Sequence, residues 1–266
     1  MSLPLALLHA LPLDSSMWEA TARELRARGR RVLTPDLCGF GSAPLPPGPP
    51  SLDAVADALA RELDRQGVGE VALAGCSMGG YVAMAFLRRH PDRVRALALL
   101  AARSTADGAE AAARRLRFAE AVLDDSARPA LVAATTPSLL GATTKARRPR
   151  LPARVTGLAL AAPPGSVAWA QRAIAARTDS TAALRAADVP AVVVIGAEDA
   201  LVSLDEACRT AEALGRGRLL VLPGVGHLAP LEAPEAVAGI LSDLLAQART
   251  TAEGATVGTG ARAAAC

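Results

Sequence analysis

Aromatic side chains are scarce in this chain: two tryptophans, one tyrosine and three phenylalanines among 266 residues. Since 51% of the residues are apolar, the core must be built from Ala, Leu and Val, and a ligand pocket is expected to be mainly aliphatic. Charge of one sign is lacking as well. The formal net charge is only +3, with arginine dispersed along the chain, which argues against nucleic acid or a membrane surface as partner. Cysteines are few and far apart: Cys38, Cys76, Cys208 and Cys266 form no C-x-x-C spacing. That pattern indicates neither a zinc site nor a disulfide framework, and it fits reduced thiols in a cytoplasm. No apolar run is long enough to span a bilayer. Residues 3–8 lack the positive flank of a signal peptide and are soon interrupted by His9, Pro12 and Asp14, so they read as a buried strand.

What is present is an alternation. Short apolar runs at 3–8, 31–34, 70–74, 94–100, 191–195 and 218–222 are separated by amphipathic stretches, with helices expected at 17–27, 52–65, 78–89, 204–213 and 234–247. Six such runs alternating with helices predict an α/β fold with a mostly parallel sheet covered on both faces. Ser51 and Ser203 stand where N-caps are useful, and Pro234 suits a first helical position. Between the fourth and fifth runs the alternation stops. Residues 103–187 show only helical patches, at 110–123, 127–134 and 167–176, broken by Pro137, Pro149, Pro152 and Pro163-Pro164. This reads as a helical cap inserted at a strand's carboxyl end, where open α/β sheets bind ligands. The core is then divided into 1–102 and 188–248, and the Thr-, Gly- and Ala-rich residues 249–266 are expected to be a disordered tail.

The chemistry concentrates in Gly75-Cys76-Ser77-Met78-Gly79-Gly80, between an apolar run and a helix start. A G-x-S-x-G sequence in that setting forms a sharp turn that projects the serine from the sheet top. A serine hydroxyl is a weak nucleophile unless a base takes its proton and an acid orients the base. Three histidines are available. His90, before Pro91 and after Arg88-Arg89, suits a helix C-terminus, and His9 reads as a loop-fixing side chain. His227 lies in a glycine-punctuated loop after the last strand, at the sheet's carboxyl edge, and is the candidate base. For the acid, Asp199 follows the fifth strand, with Glu198 as its competitor. The longer Glu198 side chain is expected to point away. The position after the preceding strand reads Ala101-Ala102-Arg103 and offers no acid. A tetrahedral oxyanion needs two convergent N–H donors, for which Met78 and Leu11 are the candidates. Ala10, Trp18, Arg103 and Arg177 are candidates for touching a substrate, the two arginines having an ion pair that braces the cap as the other role open to them. The basic stretch 145–154 reads as a solvated loop, with attraction of an anionic substrate as the sharper alternative.

His9 to Trp18, Pro35 to Gly41, Gly75 to Gly80, Gly196 to Asp199 and Gly224 to Glu232 together resemble the α/β-hydrolase superfamily, more narrowly its cap-bearing esterase and 3-oxoadipate enol-lactonase-like branch. The resemblance implies a serine hydrolase using Ser77, Asp199 and His227 on a small-molecule ester or lactone, without metal or organic cofactor. The same triad also serves C–C bond, thioester and perhydrolase chemistry, or persists in a low-turnover ligand receptor. Three positions depart from the family pattern: Ala10 where glycine is usual after His9, Cys38 where arginine is usual, and Ser203 where proline is usual. The chain begins at what resembles the family's third strand. The first hairpin is therefore expected to be absent, leaving residues 31–34 as an unprotected sheet edge.

Overall fold

The computed structural model describes residues 3–37 and 39–258. Its sheet has six strands: β1 (Leu5–Leu8), β2 (Val32–Leu33), β3 (Val71–Cys76), β4 (Val94–Leu100), β5 (Ala191–Gly196) and β6 (Gly217–Leu222). They lie in the order β2-β1-β3-β4-β5-β6, and every pair is parallel. A parallel sheet buries both faces, and the side chains divide by the two-residue period of a strand. Leu5, Leu7, Ala74, Ala98 and Val194 enter one core layer, while Ala6, Leu8, Leu73, Leu97 and Val193 enter the other.

Helices cover each layer. α1 (Glu19–Ala27) contributes Ala22 and Leu25 to the first layer. The second layer takes Leu52, Val55 and Leu59 of α2 (Leu52–Arg65) and Val82 and Phe86 of α3 (Met78–Arg89). Between β4 and β5 come α4 (Ala109–Ala121), α5 (Arg128–Thr135), α6 (Ala142–Arg147), α7 (Arg150–Ala161), α8 (Pro164–Ala175) and α9 (Thr181–Ala186). The chain then adds α10 (Leu204–Glu212), the single turn α11 (Ala229–Glu232) and α12 (Pro234–Gly258), whose Val237, Leu241 and Leu244 return to the first layer beside α1. Ser51 caps α2 by accepting from the Ala54 amide, and Ser203 caps α10 in a reciprocal capping box with Glu206.

Several expectations are corrected. Residues 145–154 are largely exposed, as expected, but they are mostly helical rather than a loop. They run from α6 into α7, with Leu151 and Val155 buried on the far side of the turn, and Arg148 donates to the carbonyls of Leu231 and Glu232. Pro149 does mark a break, standing with Arg148 between α6 and α7 as the N-cap of α7, whereas Pro152 is accommodated in the first turn of α7, where a backbone N–H has no helical partner to lose. The last helix continues through Gly258, into the segment expected to be disordered, while residues 259–266 of that expectation lie outside the described residues. Cys38 also lies outside them. Among the described residues, β2 is an edge strand and no helix is long and apolar enough to cross a membrane.

Candidate active site

The strand order reverses at β1, which has β2 on one side and β3 on the other, and the carboxyl ends of β1 and β3 therefore open a crevice. Ser77 stands at the end of β3. Its backbone has φ 52° and ψ −112°, a region that non-glycine residues avoid, and its amide donates to the carbonyl of Leu100 at 2.8 Å. The neighbouring glycines make this turn possible. A Cβ on Gly75 would lie 2.2 Å from the Gly79 carbonyl oxygen, and one on Gly79 would lie 2.1 Å from that of Leu8. The second contact places the start of α3 directly against the end of β1. Met78 and Leu11 thus flank the serine from two strands' ends, and neither backbone amide is taken by a protein acceptor among the described residues.

The carboxyl ends of β5 and β6 supply the other pair. Asp199 Oδ1 accepts the amides of Leu201 at 2.8 Å and Val202 at 3.1 Å, which fixes the carboxylate. Nδ1 of His227 lies 2.9 Å from Asp199 Oδ2 and 3.0 Å from Oδ1, with side chains only 3% and 1% exposed. A carboxylate can only accept, so Nδ1 carries a proton, and it is Nε2 that has the lone pair in the neutral imidazole. His227 and Ser77 line one cavity of about 370 Å³ together with Leu11 and Pro12. Its wall comes from the helices between β4 and β5: Phe118 of α4, Val132 of α5, Ala159 of α7, and Val167 and Ile174 of α8. Only about half of the lining is aliphatic, less than the composition suggests, and it also carries four arginines.

Sequence reasoning missed what holds the histidine loop. The carboxylate of Glu232 accepts the amides on both sides of His227, from Gly226 at 2.9 Å and Leu228 at 3.1 Å, and also that of Gly141 at 2.9 Å. Glu198 does point away from the site, as expected, and accepts from the amide and hydroxyl of Thr143 at 2.8 and 2.5 Å. The α6 segment is thereby tied to the residue beside Asp199 and to the loop around His227. The signal available in the sequence was only a glutamate five residues after a histidine. Cys76, beneath the serine, is buried and directs its Sγ to the His227 carbonyl at 3.6 Å. Burial, with Asp199 and Glu232 nearby, pushes its thiol far above the ordinary value, so it is no nucleophile.

Other candidates fall elsewhere. Ala10 and Trp18 do not line the cavity; both are fully buried in the first core layer, where the Ala10 amide donates to Met17 Sδ. Arg177 is 5% exposed, pairs with Asp107 at 2.9 Å, stacks over Tyr81 at 4.2 Å and lines a smaller neighbouring cavity instead. Arg103 does line the cavity shared by Ser77 and His227, yet it pairs with Asp107 at 2.9 Å and Glu206 at 2.7 Å. None of residues 145–154 reaches the cavity. His9 accepts the Leu37 amide at Nε2, 2.8 Å, and its Nδ1 donates to the Ala10 carbonyl at 3.2 Å. Burial lowers its pKa to about 4, so it serves as a neutral brace. His90 ends α3 and contacts Asp57 at 2.9 Å, a structural role. Among the described residues no three His, Cys, Asp or Glu side chains gather as a metal ion requires.

A parallel sheet with a strained serine at one strand end and a paired aspartate and histidine at two others defines a class of protein before any comparison is made. This chain belongs to the alpha/beta hydrolase fold family, whose match covers residues 4–234. A thermophilic esterase from Thermogutta terrifontis, solved with malate bound, is 37% identical and superposes with a TM-score of 0.88 over 93% of this chain and 91% of that one. Among curated proteins, the pimeloyl-(acyl-carrier protein) methyl ester esterase of Aromatoleum aromaticum is 33% identical over 252 residues, 91% of this chain and 97% of that protein. The dihydrolipoyllysine-residue acetyltransferase component of the acetoin cleaving system of Pseudomonas putida is 31% identical over 88% of this chain, which spans 61% of that protein's length.

Proposed function

We propose that this chain hydrolyses carboxylic esters or lactones through an acyl-enzyme on Ser77. Ser77 Oγ attacks the carbonyl carbon while Nε2 of His227 takes its proton, and Asp199 stabilises the imidazolium that forms. The amides of Leu11 and Met78 receive the oxyanion. Collapse of this intermediate breaks the bond to the leaving oxygen, which takes the proton from His227 and departs as the alcohol. Water then attacks the acyl carbon, giving its proton to His227, and the acid is released as the proton returns to Ser77. Residues 103–187 act as the cap that selects the substrate.

The observation that carries this reading is the buried Asp199–His227 pair opening on the same cavity as a serine in elbow geometry. Two relatives above 30% identity are esterases, which supports the choice of an ester bond. Labelling with a fluorophosphonate tests it: the reading expects one adduct, located on Ser77 by peptide mass spectrometry, together with turnover in a panel of esters and lactones. A folded protein that takes no label and turns over none of the panel contradicts it. Faster turnover of thioesters or vinylogous diketones than of any ester would reassign the bond.

A further inference from the structure

Two cavities share a wall one helical turn from Ser77. The one that Ser77 and His227 line has a volume of about 370 Å³, and a second, of about 180 Å³, lies between the start of α2, α3 and the end of α8. Among the described residues only Tyr81 and Arg103 line both, so these two side chains are the partition. Tyr81 follows Ser77 on α3, its amide donating to the Ser77 carbonyl at 3.2 Å, and it is 5% exposed. Its ring is clamped. The Arg177 guanidinium lies over the ring face, 4.2 Å from the centroid, and is itself held by Asp107 at 2.9 Å and by the carbonyls of Ile174 and Thr105. Arg103 is held by Asp107 and Glu206. A cation on the ring face, anchored in turn on a buried carboxylate, makes this a fixed wall rather than a swinging side chain. The space beyond it can take an alkyl chain. Leu52, Met84, Ala85, Ala173 and Ala176 line it, and the Arg88 guanidinium at its border is already bound to Asp53 and Ser180.

We infer that Tyr81 determines the length of chain the site accepts: with Arg103 beside it, its ring closes the cavity of Ser77 and His227 and keeps an alkyl chain from running on into the second cavity. This rests on the hydrolase reading above and narrows it to esters or lactones whose chain stops short of Tyr81. Each methylene that leaves water for the cavity favours binding, by about fourfold from the area it buries. A methylene pressed against a fixed ring finds no room and loses that gain. The signature is a dependence on chain length that breaks off.

The test is kcat/KM for para-nitrophenyl esters of linear acids from acetate to dodecanoate, and for acetates of linear alcohols from ethanol to decanol, which lengthen the two sides of the bond separately. The wild type is expected to gain about fourfold per methylene and then to stop gaining at one chain length in at least one series. Tyr81→Ala moves that break to chains longer by about two methylenes or more, since the ring's volume and the space behind it become available, and Tyr81→Leu moves it less. Tyr81→Phe keeps the ring and leaves the break in place. In the Tyr81→Ala background, Ala176→Phe refills the second cavity from its far side and brings the break back towards the wild-type length. A loss of folding or catalytic power lowers short and long esters together, so the position of the break isolates the wall. A break unmoved in both folded Tyr81→Ala and folded Tyr81→Leu, a wild type with no break, or equal movement in Tyr81→Phe and Tyr81→Ala overturns the inference. The wall is read without turnover as thermal stabilisation of the Ser77→Ala protein by linear primary alcohols from propanol to decanol, which rises with length to a limit that Tyr81→Ala extends. Such a limit in a protein that neither labels at Ser77 nor hydrolyses esters would leave the wall standing and remove the hydrolase reading, whereas labelling and turnover with no break in either series would do the reverse.

Discussion

At Ser77 the fold concentrates strain and close contact in a few atoms. The two glycines beside it are needed for space, since a methyl group on either would fall inside van der Waals contact with backbone that cannot move away. Gly79→Ala is expected to lower stability by roughly 1–3 kcal/mol, because it forces α3 from the end of β1, and to reduce ester turnover further than that loss explains. Thermal unfolding and kcat measured on one preparation decide it; a fully active, equally stable variant would contradict the packing argument. For the acid, Asp199→Asn leaves the two amide contacts to one oxygen possible but lets Nδ1 lose its proton preference. A fall in kcat on the order of 10⁴ is expected from the wrong tautomer. A fall of less than tenfold would mean that another residue orients His227.

The elements around the site differ in how much of them the sequence discloses. β4, α2 and α3 coincide with the apolar run and amphipathic stretches that announce them, since burial on a fixed period leaves its mark directly in residue order. Beyond the break at Pro149, α7 is invisible in the same reading because Pro152 occupies its first turn and its arginines obscure the buried Leu151 and Val155. The pairing of the candidate acid Asp199 with the candidate base His227 was legible because both follow strands, and strand ends face one crevice. The part played by Glu232 was not, because its partners are backbone amides, one of which comes from a segment 91 residues away. Its role is testable. Glu232→Ala unpairs three amides around His227 and α6, and we expect kcat to fall by on the order of 10² with a smaller change in KM, as for a displaced base. Glu198→Ala, which frees only Thr143, should leave kcat much closer to wild type. Equal effects of the two variants would indicate loss of cap attachment alone.

Across the whole molecule, one buried carboxylate gathers two of the cavity's four arginines and a third from the neighbouring cavity. Asp107 receives Arg103 from the end of β4, Arg115 from α4 and Arg177 from beyond α8. Burial opposes its ionisation, but hydrogen bonds and charge from Arg177 and Arg115 outweigh that and hold its carboxyl well below the usual carboxylate range. Asp107→Ala would take the ion-pair partner from the buried Arg177 while Arg103 keeps Glu206 and Arg115 keeps Gln171, and it is expected to cost about 3–5 kcal/mol. Stability should also report two acid-side losses. His9 titrates near pH 4 when folded against 6.5 ordinarily, so the unfolded chain takes up its proton first, and stability falls as pH drops from about 6.5 towards 4. Asp107 holds its folded pKa below the ordinary 3.8, so its contribution is present above that value and is lost as pH falls beneath it. Denaturant unfolding across pH should show the upper step vanish in His9→Gln and the lower one in Asp107→Asn. A wild-type profile flat between pH 4 and 6.5 would contradict the buried neutral His9.

The central claim is that Ser77 is the nucleophile of an ester-hydrolysing site built with His227 and Asp199. Its most direct test is the turnover of the best ester substrate by Ser77→Ala, with circular dichroism to verify the fold. The account predicts a fall in kcat on the order of 10⁶, the size found when the nucleophile of a coupled triad is removed. Turnover by a folded Ser77→Ala protein at a rate close to wild type would contradict it.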